Sequence, residues 1–121
     1  MPYMKVSTTE RFSDEMRTKL LDGLQNALWL IPEKKGFPVI FDLEEGKTFY
    51  VNNKKQEQWI HVDVSYFSRF KYNKRKEFTE TAFDVMHEIT GIDKEKIYLL
   101  INERETWGGH GGYLDEFVTE F

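Results

Sequence analysis

The start of the chain offers a reactive group that is not a side chain. Met1 is followed by Pro2, and an initiating methionine before a small residue is normally removed after synthesis. Removal leaves a free secondary amine on Pro2, and an unperturbed terminal α-amine has a pKa of about 8. Proline is also a tolerated second residue, which is the simpler interpretation of the dipeptide taken alone. The amine therefore becomes a candidate catalytic group only when it is considered together with the rest of the sequence.

A basic cluster in the second half of the chain is the next candidate for chemistry. It comprises Arg69, Lys71, Lys74, Arg75 and Lys76. Most of such a cluster is explained as the solvated start of a helix. A phosphate-binding surface is the competing interpretation, and the overall balance of 17 Lys and Arg against 21 Asp and Glu counts against it, because phosphate neutralisation supplies most nucleic-acid affinity. We therefore expect no nucleic-acid partner.

Several other chemistries lack the residues they require. The chain has no cysteine, which excludes disulfides, thiolate metal sites and a cysteine nucleophile. The three histidines, His61, His87 and His110, lie far apart without the spacing of metal ligands, so we expect no metal site. The glycines between positions 108 and 112 do not join a strand to a helix as a phosphate loop does.

Length and composition indicate one globular domain, which we place at residues 1–121. The chain is 40% hydrophobic and 31% charged, a globular mixture. The 16% of aromatic residues is high and typical of pockets and subunit interfaces. No apolar run approaches the ~18 residues of a membrane span, and no signal peptide is visible. These features predict a cytoplasmic protein without a membrane partner.

The first part of the chain is typical of a strand, a helix and further strands. Pro2–Thr8 is predicted to be a strand, and Ser13 is a candidate N-cap for the helix that follows. Phe37–Leu43 and Thr48–Val51 are predicted to be strands. The helix presents an apolar stripe at helical spacing, formed by Met16, Leu20, Leu24, Ala27, Leu28 and Ile31.

The second part repeats this order. Gln58–Phe67 alternates between apolar and polar residues, which predicts a half-buried strand. Asn73 is the candidate N-cap of the next helix, and Gly91 is a candidate C-terminal glycine. Lys96–Ile101 is nearly all apolar, which favours a strand covered on both faces. The second helical stripe is formed by Phe78, Ala82, Val85, Met86 and Ile89.

The two parts define pseudo-repeats at residues 2–51 and 58–104, with a tail at 105–121. Two β-α-β units predict an α+β fold with a four-stranded mixed sheet and both helices on one face. No further element is available for the other face. We expect that face to be apolar and to be buried against another subunit, so oligomerisation follows from the fold.

The chain resembles the tautomerase superfamily from Pro2 through Gly112. Its start looks like 4-oxalocrotonate tautomerase, with Pro2, a strand and a charged turn, Glu10-Arg11-Phe12-Ser13-Asp14-Glu15. Its doubled length is similar to macrophage migration inhibitory factor and, more closely, to the malonate semialdehyde decarboxylase group. Ser68-Arg69-Phe70-Lys71 looks like that group's Ser-Arg-x-Arg segment, with Lys71 in place of the second arginine. Asn102-Glu103 and the later Trp107-Gly108-Gly109-His110-Gly111 look like its ending.

The resemblance implies a homotrimer that catalyses a cofactor-free keto–enol tautomerisation. Pro2 would be the general base, moving a proton between oxygen and carbon of a small anionic 2-oxo or 2-hydroxy-enoic acid. Arg69 would hold the substrate carboxylate, which a guanidinium can bind through two hydrogen bonds. The further substrate-binding candidates are Lys71, Trp107, Arg11 and Glu103.

Other functions remain open on the same pattern. Decarboxylases, hydratases and dehalogenases share the scaffold, and some use an acidic residue near the start of the second strand. Here that neighbourhood is Lys34-Lys35-Gly36-Phe37, without an acid, which favours plain tautomerisation. A non-catalytic, ferredoxin-like ligand-binding module has the same element order. A chain that lost its activity and kept its oligomer is the third alternative.

Overall fold

The computed structural model describes residues 1–117. Its strands and helices, in chain order, are β1 (Tyr3–Thr8), α1 (Asp14–Leu28), β2 (Ile40–Glu44), β3 (Tyr50–Val51), β4 (Lys54–Lys55), β5 (Ile60–Phe67), α2 (Tyr72–Thr90), β6 (Ile97–Arg104), β7 (Thr106–Gly109) and β8 (Gly112–Asp115). Short 3-10 turns lie at Pro32–Lys34 and Lys94–Lys96.

Four strands form the main sheet in the order β2-β1-β5-β6. β1 runs parallel to β2, β5 runs parallel to β6, and the two pairs meet through antiparallel pairing of β1 with β5. Both helices pack on one face, where their apolar residues and the inward-facing strand residues form a single core. The predicted α+β fold with two β-α-β units is confirmed.

The helices follow the predicted stripes, and one of the two predicted N-caps is wrong. Ser13 caps α1, since its hydroxyl accepts a hydrogen bond from the backbone N–H of Met16 at 3.2 Å. Gly91 ends α2 in the left-handed region, at φ 75°. Asn73 is not the N-cap of α2, because the cap position is Lys71, which makes no side-chain cap bond. No helix within residues 1–117 has the length and apolarity that a membrane crossing requires.

Two strands differ from their predicted extent or environment. The second strand begins at Ile40 rather than Phe37, because the backbone N–H of Phe37 closes a turn onto the carbonyl of Lys34 at 3.1 Å and Pro38 has no N–H to donate. β6 is an edge strand, and its Tyr98 and Leu100 are exposed. The apolar run therefore does not mark a strand covered on both faces within one chain.

Two short hairpins extend from the sheet. The predicted strand at Thr48–Val51 is reduced to Tyr50–Val51, which pairs with β4. The glycine-rich part of the predicted tail forms the β7–β8 hairpin. Its two turn residues, His110 and Gly111, both have positive φ, as a two-residue hairpin turn requires. The hairpin sets Trp107 opposite Leu114; tail residues 118–121 lie outside the described part.

The second face of the sheet is not the apolar surface that was expected. Strand alternation places Tyr3 and Lys5 of β1 on this face beside Asp42 and Glu44 of β2. The Tyr3 hydroxyl donates to Asp42 at 2.7 Å, and Lys5 pairs with Glu44 at 3.3 Å. Exposed apolar side chains share the face, namely Ile40, Tyr98 and Leu100. The open face is thus mixed, because β1 and β2 place the charged residues Lys5, Asp42 and Glu44 on it beside these apolar side chains.

The contact between α1 and α2 leads to a first prediction. A Cβ atom added at Gly23 would lie 2.5 Å from Cγ1 of Val85, and a β-branched side chain in a helix has little rotamer freedom to move away. Alanine gains about 1 kcal/mol of helix propensity, whereas overpacking costs about 1–3 kcal/mol. We therefore expect Gly23→Ala to lower the free energy of unfolding, measured by urea denaturation.

The same substitution is expected to be stabilising when Val85 is first replaced by alanine, because the clash is then absent. Gly23→Ala would raise the free energy of unfolding in that background. A rise in the wild-type background as well would show that Val85 moves aside freely, contrary to the prediction.

Candidate active site

Pro2 lies buried at one end of the sheet, directly before the interior strand β1. Its carbonyl accepts a hydrogen bond from the backbone N–H of Ile40 at 2.9 Å, which ties the start of the chain to β2. Because β1 has a neighbouring strand on each side, the first residues of the chain are surrounded by the segments that reach this end of the sheet.

A small pocket of about 190 Å³ opens at Pro2. This volume is below the roughly 300 Å³ where pockets for drug-sized ligands begin, so a ligand that fits one chain must be small. The wall is mainly apolar and aromatic, with one carboxylate and one ammonium. The lining residues are Met1, Pro2, Glu33, Lys34, Phe37, Phe67, Trp107 and Leu114.

Lys34 supplies the positive charge of this pocket. It lies on the 3-10 turn that follows α1, and its Nζ donates to the carbonyl of Phe67 at 3.1 Å. The same nitrogen lies 5.3 Å from the ring centre of Tyr66 and 5.2 Å from that of Phe70. Both distances are within the range of cation–π attraction. The ammonium is thus held by one carbonyl and two ring faces.

Burial lowers the pKa of Lys34 below the usual value for lysine, and the nearby Glu33 carboxylate opposes this shift in part. The cause is desolvation, which disfavours the charged form of a half-buried amine. Sequence reasoning examined the segment that begins at Lys34 only for a missing acid, and so did not identify this lysine. The spacing alone does not show which of Lys34 and Lys35 faces inward, and only the turn geometry separates them.

Trp107 is the second sequence candidate that the structure brings to the Pro2 pocket. The β7–β8 hairpin places it there together with its cross-strand partner Leu114. Phe67, at the end of β5, closes another side of the pocket. Such apolar neighbours exclude water and strengthen electrostatic interactions inside the pocket.

Arg69 and Lys71 are not among the residues that line this pocket. The exposed guanidinium of Arg69 pairs with Glu105 at 2.9 Å, near the start of the hairpin that carries Trp107. Lys71 is exposed at the start of α2. Both residues belong to the loop between β5 and α2, and Arg69 lines a separate cavity of about 750 Å³ together with Glu103.

Glu103 lies on the core side of β6, and its carboxylate is fully occupied by neighbours. It accepts hydrogen bonds from the backbone N–H of Phe70 at 2.9 Å and from the Tyr66 hydroxyl at 3.0 Å. It also pairs with Arg75 at 3.1 Å. Its side chain is only 11% exposed. In this structure Glu103 therefore contacts protein groups and does not line the Pro2 pocket.

Arg11 lies at the opposite end of β1 from Pro2. The intervening strand has six residues, which at about 3.3 Å each separates the two residues by roughly 20 Å or more. The guanidinium packs beside Gly46 and lines a different pocket, together with Lys47 and Lys55. Within one chain, therefore, Arg11 and Pro2 do not meet.

Comparison with known proteins shows similarity in structure alone. No family model and no curated protein matches the sequence. Among solved structures, Leishmania major MIF2 is 18% identical with a TM-score of 0.77, over 94% of this chain and 97% of its own. Pt0534 inactivated by 2-oxo-3-pentynoate is 21% identical with a TM-score of 0.75, over 93% and 94%. A fused wild-type 4-OT asymmetric trimer is 14% identical with a TM-score of 0.77, over 91% and 94%.

These similarities establish the architecture of the chain. It has the fold shared by macrophage migration inhibitory factor and 4-oxalocrotonate tautomerase. The predicted resemblance to the tautomerase superfamily is therefore confirmed in the fold, which spans more than nine-tenths of the chain.

Proposed function

We propose that the protein is a cofactor-free keto–enol tautomerase of a small 2-oxo or 2-hydroxy-enoic acid, with Pro2 as its general base. The observation that carries the proposal is the burial of Pro2 in a small pocket that also contains the ammonium of Lys34. A basic amine and a cation in one apolar pocket are what proton transfer on an anionic substrate needs.

The proposed reaction begins once Met1 has been removed. The nitrogen of Pro2 is then a secondary amine, and both burial and the Lys34 charge disfavour its protonated form. It accepts the hydroxyl proton of the enol and returns a proton to carbon C3, which leaves the 2-oxo acid. Lys34 binds the substrate carboxylate and stabilises the negative charge on oxygen during the transfer. Pro2 thus accepts one proton and returns one proton, so the reaction needs no cofactor.

Two findings support a small 2-oxo acid as substrate. The pocket is small and its walls at Phe67 and Trp107 are aromatic, which suits a short conjugated acid. One structurally similar protein was inactivated by 2-oxo-3-pentynoate, itself a short 2-oxo acid. We propose that the conjugated chain lies against Trp107, with the carboxylate towards Lys34.

The other sequence candidates take secondary places in this proposal. Arg69 is a second cation, which reaches a substrate carboxylate by leaving Glu105, and Lys71 adds positive charge to the same loop. Arg11 contributes to a pocket only if it belongs to another subunit, because it lies at the far end of its own β1.

The first test concerns the amine. The conversion of phenylenolpyruvate from enol to keto form is followed with processed protein, protein that retains Met1, and Pro2→Ala. Intact mass spectrometry assigns each terminus. Because an amide nitrogen is not basic, we expect protein with Met1 to be inactive. Without the rigid secondary amine, kcat/KM of Pro2→Ala should fall about 10²-fold. Equal rates in all three samples would remove Pro2 from the mechanism.

The second test identifies the cation that holds the carboxylate. Lys34→Met, Arg69→Met and the exposed neighbour Lys35→Met each remove one positive charge at similar size. Loss of a charged hydrogen bond costs about 1.5–3 kcal/mol, so we expect Lys34→Met to lower kcat/KM by about 10- to 100-fold. The loss in Arg69→Met should be smaller, and Lys35→Met should resemble wild type. A larger loss in Arg69→Met would move the carboxylate site to the arginine.

We also propose that the protein is a homotrimer, as the fused 4-OT of the same fold is a trimer. The mixed open face of the sheet would be its interface. Light scattering coupled to size exclusion should give three times the 14.5 kDa of the single chain. Replacing the exposed Leu100 by aspartate should shift that mass towards one chain, because an unpaired charge would be buried. A monomeric mass for the unaltered protein would contradict the proposal.

A further inference from the structure

The two oxygens of the Glu103 carboxylate have separate partners. Oε2 accepts both the backbone N–H of Phe70 and the hydroxyl of Tyr66, whereas Oε1 accepts from Arg75. One carboxylate oxygen thus connects the end of β5, through Tyr66, to the loop before α2, through Phe70. The other oxygen connects the same point to α2 itself.

These two partners carry the ring faces on which the Lys34 ammonium lies. The rings of Tyr66 and Phe70 are 5.4 Å apart and tilted by 58°, and Nζ of Lys34 is about equally far from both. The ring pair and the Phe67 carbonyl are therefore the contacts that set the position of this ammonium beside the Pro2 pocket.

The loop that carries Phe70 has little regular structure of its own. Ser68 has a φ of 81°, and α2 begins only at Tyr72 without a side-chain cap. Its backbone is held by the bond from Ser68 to the carbonyl of Arg104 at 2.8 Å and by the bond from Phe70 to Glu103. Glu103 thereby holds the backbone of the residue that precedes the cap position of α2, while the helix itself has no side-chain cap.

The Tyr66 hydroxyl is a dependable donor in this arrangement. Burial, together with the adjacent Glu103 carboxylate, raises the pKa of Tyr66. The hydroxyl therefore keeps its proton across the neutral range and continues to donate to Oε2. Among the described residues, the titratable groups around Lys34 are Glu33 on its own turn, Tyr66 on β5 and the terminal amine at the start of the chain.

We propose that Glu103 is a positioning residue, which holds Tyr66 and Phe70 in place so that Lys34 presents its ammonium to the Pro2 pocket. It acts through its Oε2 atom as a hydrogen-bond acceptor, and neither its negative charge nor its acidity takes part in the reaction. The inference rests on the proposed role of Lys34 in binding the substrate carboxylate.

Two variants distinguish the role of Glu103 as a hydrogen-bond acceptor from the role of its negative charge. Glu103→Gln removes the charge but keeps an oxygen that can accept from both Phe70 and Tyr66. Glu103→Met keeps the length of the side chain and removes both acceptors. Glu80→Gln, which removes an exposed carboxylate paired with Lys76, controls for the change in net charge.

The first measurement does not depend on catalytic activity. The pKa of Lys34 is followed by NMR in protein with ¹³C-labelled lysine, with Lys34→Met to assign the resonance. Loss of a negative charge alone would lower that pKa, whereas release of the rings would expose the ammonium to water and raise it. We expect a rise towards the ordinary lysine value in Glu103→Met. No rise is expected in Glu103→Gln or Glu80→Gln.

The second measurement is steady-state kinetics on phenylenolpyruvate. We expect Glu103→Met to raise KM about tenfold with a smaller change in kcat, since carboxylate binding is what the displaced ammonium loses. Glu103→Gln should stay within about twofold of wild type in both parameters, because it restores the acceptor. Tyr66→Phe, which breaks only the hydroxyl bond, should shift the Lys34 pKa in the same direction by less. If Glu103→Met does not fold, the Lys34 pKa in Tyr66→Phe provides the test.

Each result supports or overturns the inference. A Glu103→Gln variant as inactive as Glu103→Met, with an unchanged Lys34 resonance, would make the carboxylate itself chemical. An unchanged Lys34 pKa in both Glu103→Met and Tyr66→Phe would remove Glu103 from the control of Lys34. If the unaltered protein does not convert phenylenolpyruvate, the proposed tautomerase activity fails, while the titration still decides whether Glu103 positions the lysine.

Discussion

Because β1 pairs with a strand on each side, the chain begins in the interior of its own sheet. A proline suits that position. It has no N–H to contribute to the strand ladder, so the ladder begins at Tyr3, while the Pro2 carbonyl still accepts from Ile40. The nitrogen of Pro2 is thereby left outside the hydrogen bonding of the sheet. The topology places this backbone nitrogen at the edge of a small pocket. In the proposed function, it is the group that removal of Met1 would make basic.

Opposing effects act on the pKa of Lys34, which carries the positive charge in that pocket. Desolvation lowers the pKa of Lys34, whereas the Phe67 carbonyl and the faces of Tyr66 and Phe70 favour its protonated form. Desolvation prevails, so the folded chain binds this proton less tightly than the unfolded chain does. This contribution makes folding more favourable as the pH rises through the range between the two pKa values. A cation that nearby groups stabilise only in part is available to bind an anionic ligand.

The periodic patterns of apolar residues predicted most of the fold, because they mark the side chains that are buried in the core. The α1 stripe through Leu20, Leu24 and Leu28 and the alternation of β5 both match the observed burial. The failures concern long-range partners. A local sequence cannot show that β6 lies at the sheet edge. Nor can it show that α2 begins without a side-chain cap, or that Glu103 holds the backbone of Phe70, thirty-three residues away, just before this helix. The same limit applies to the site. Pro2 and Trp107 were candidate site residues from the sequence, whereas Lys34 is identified only from its contacts with Tyr66 and Phe70 in the folded chain.

The mixed open face bears on how copies of this chain could associate. An interface made only of apolar residues would need no orientation of its partners, but Tyr3 with Asp42 and Lys5 with Glu44 are already paired inside one chain. Covering these pairs costs desolvation without leaving a single group unpaired. The exposed Ile40, Tyr98 and Leu100 provide the apolar area that can offset this cost. Since Tyr3 follows Pro2 directly, a partner that covers the face at this end also lies next to the pocket, so assembly and pocket closure would be linked through the first residues of β1.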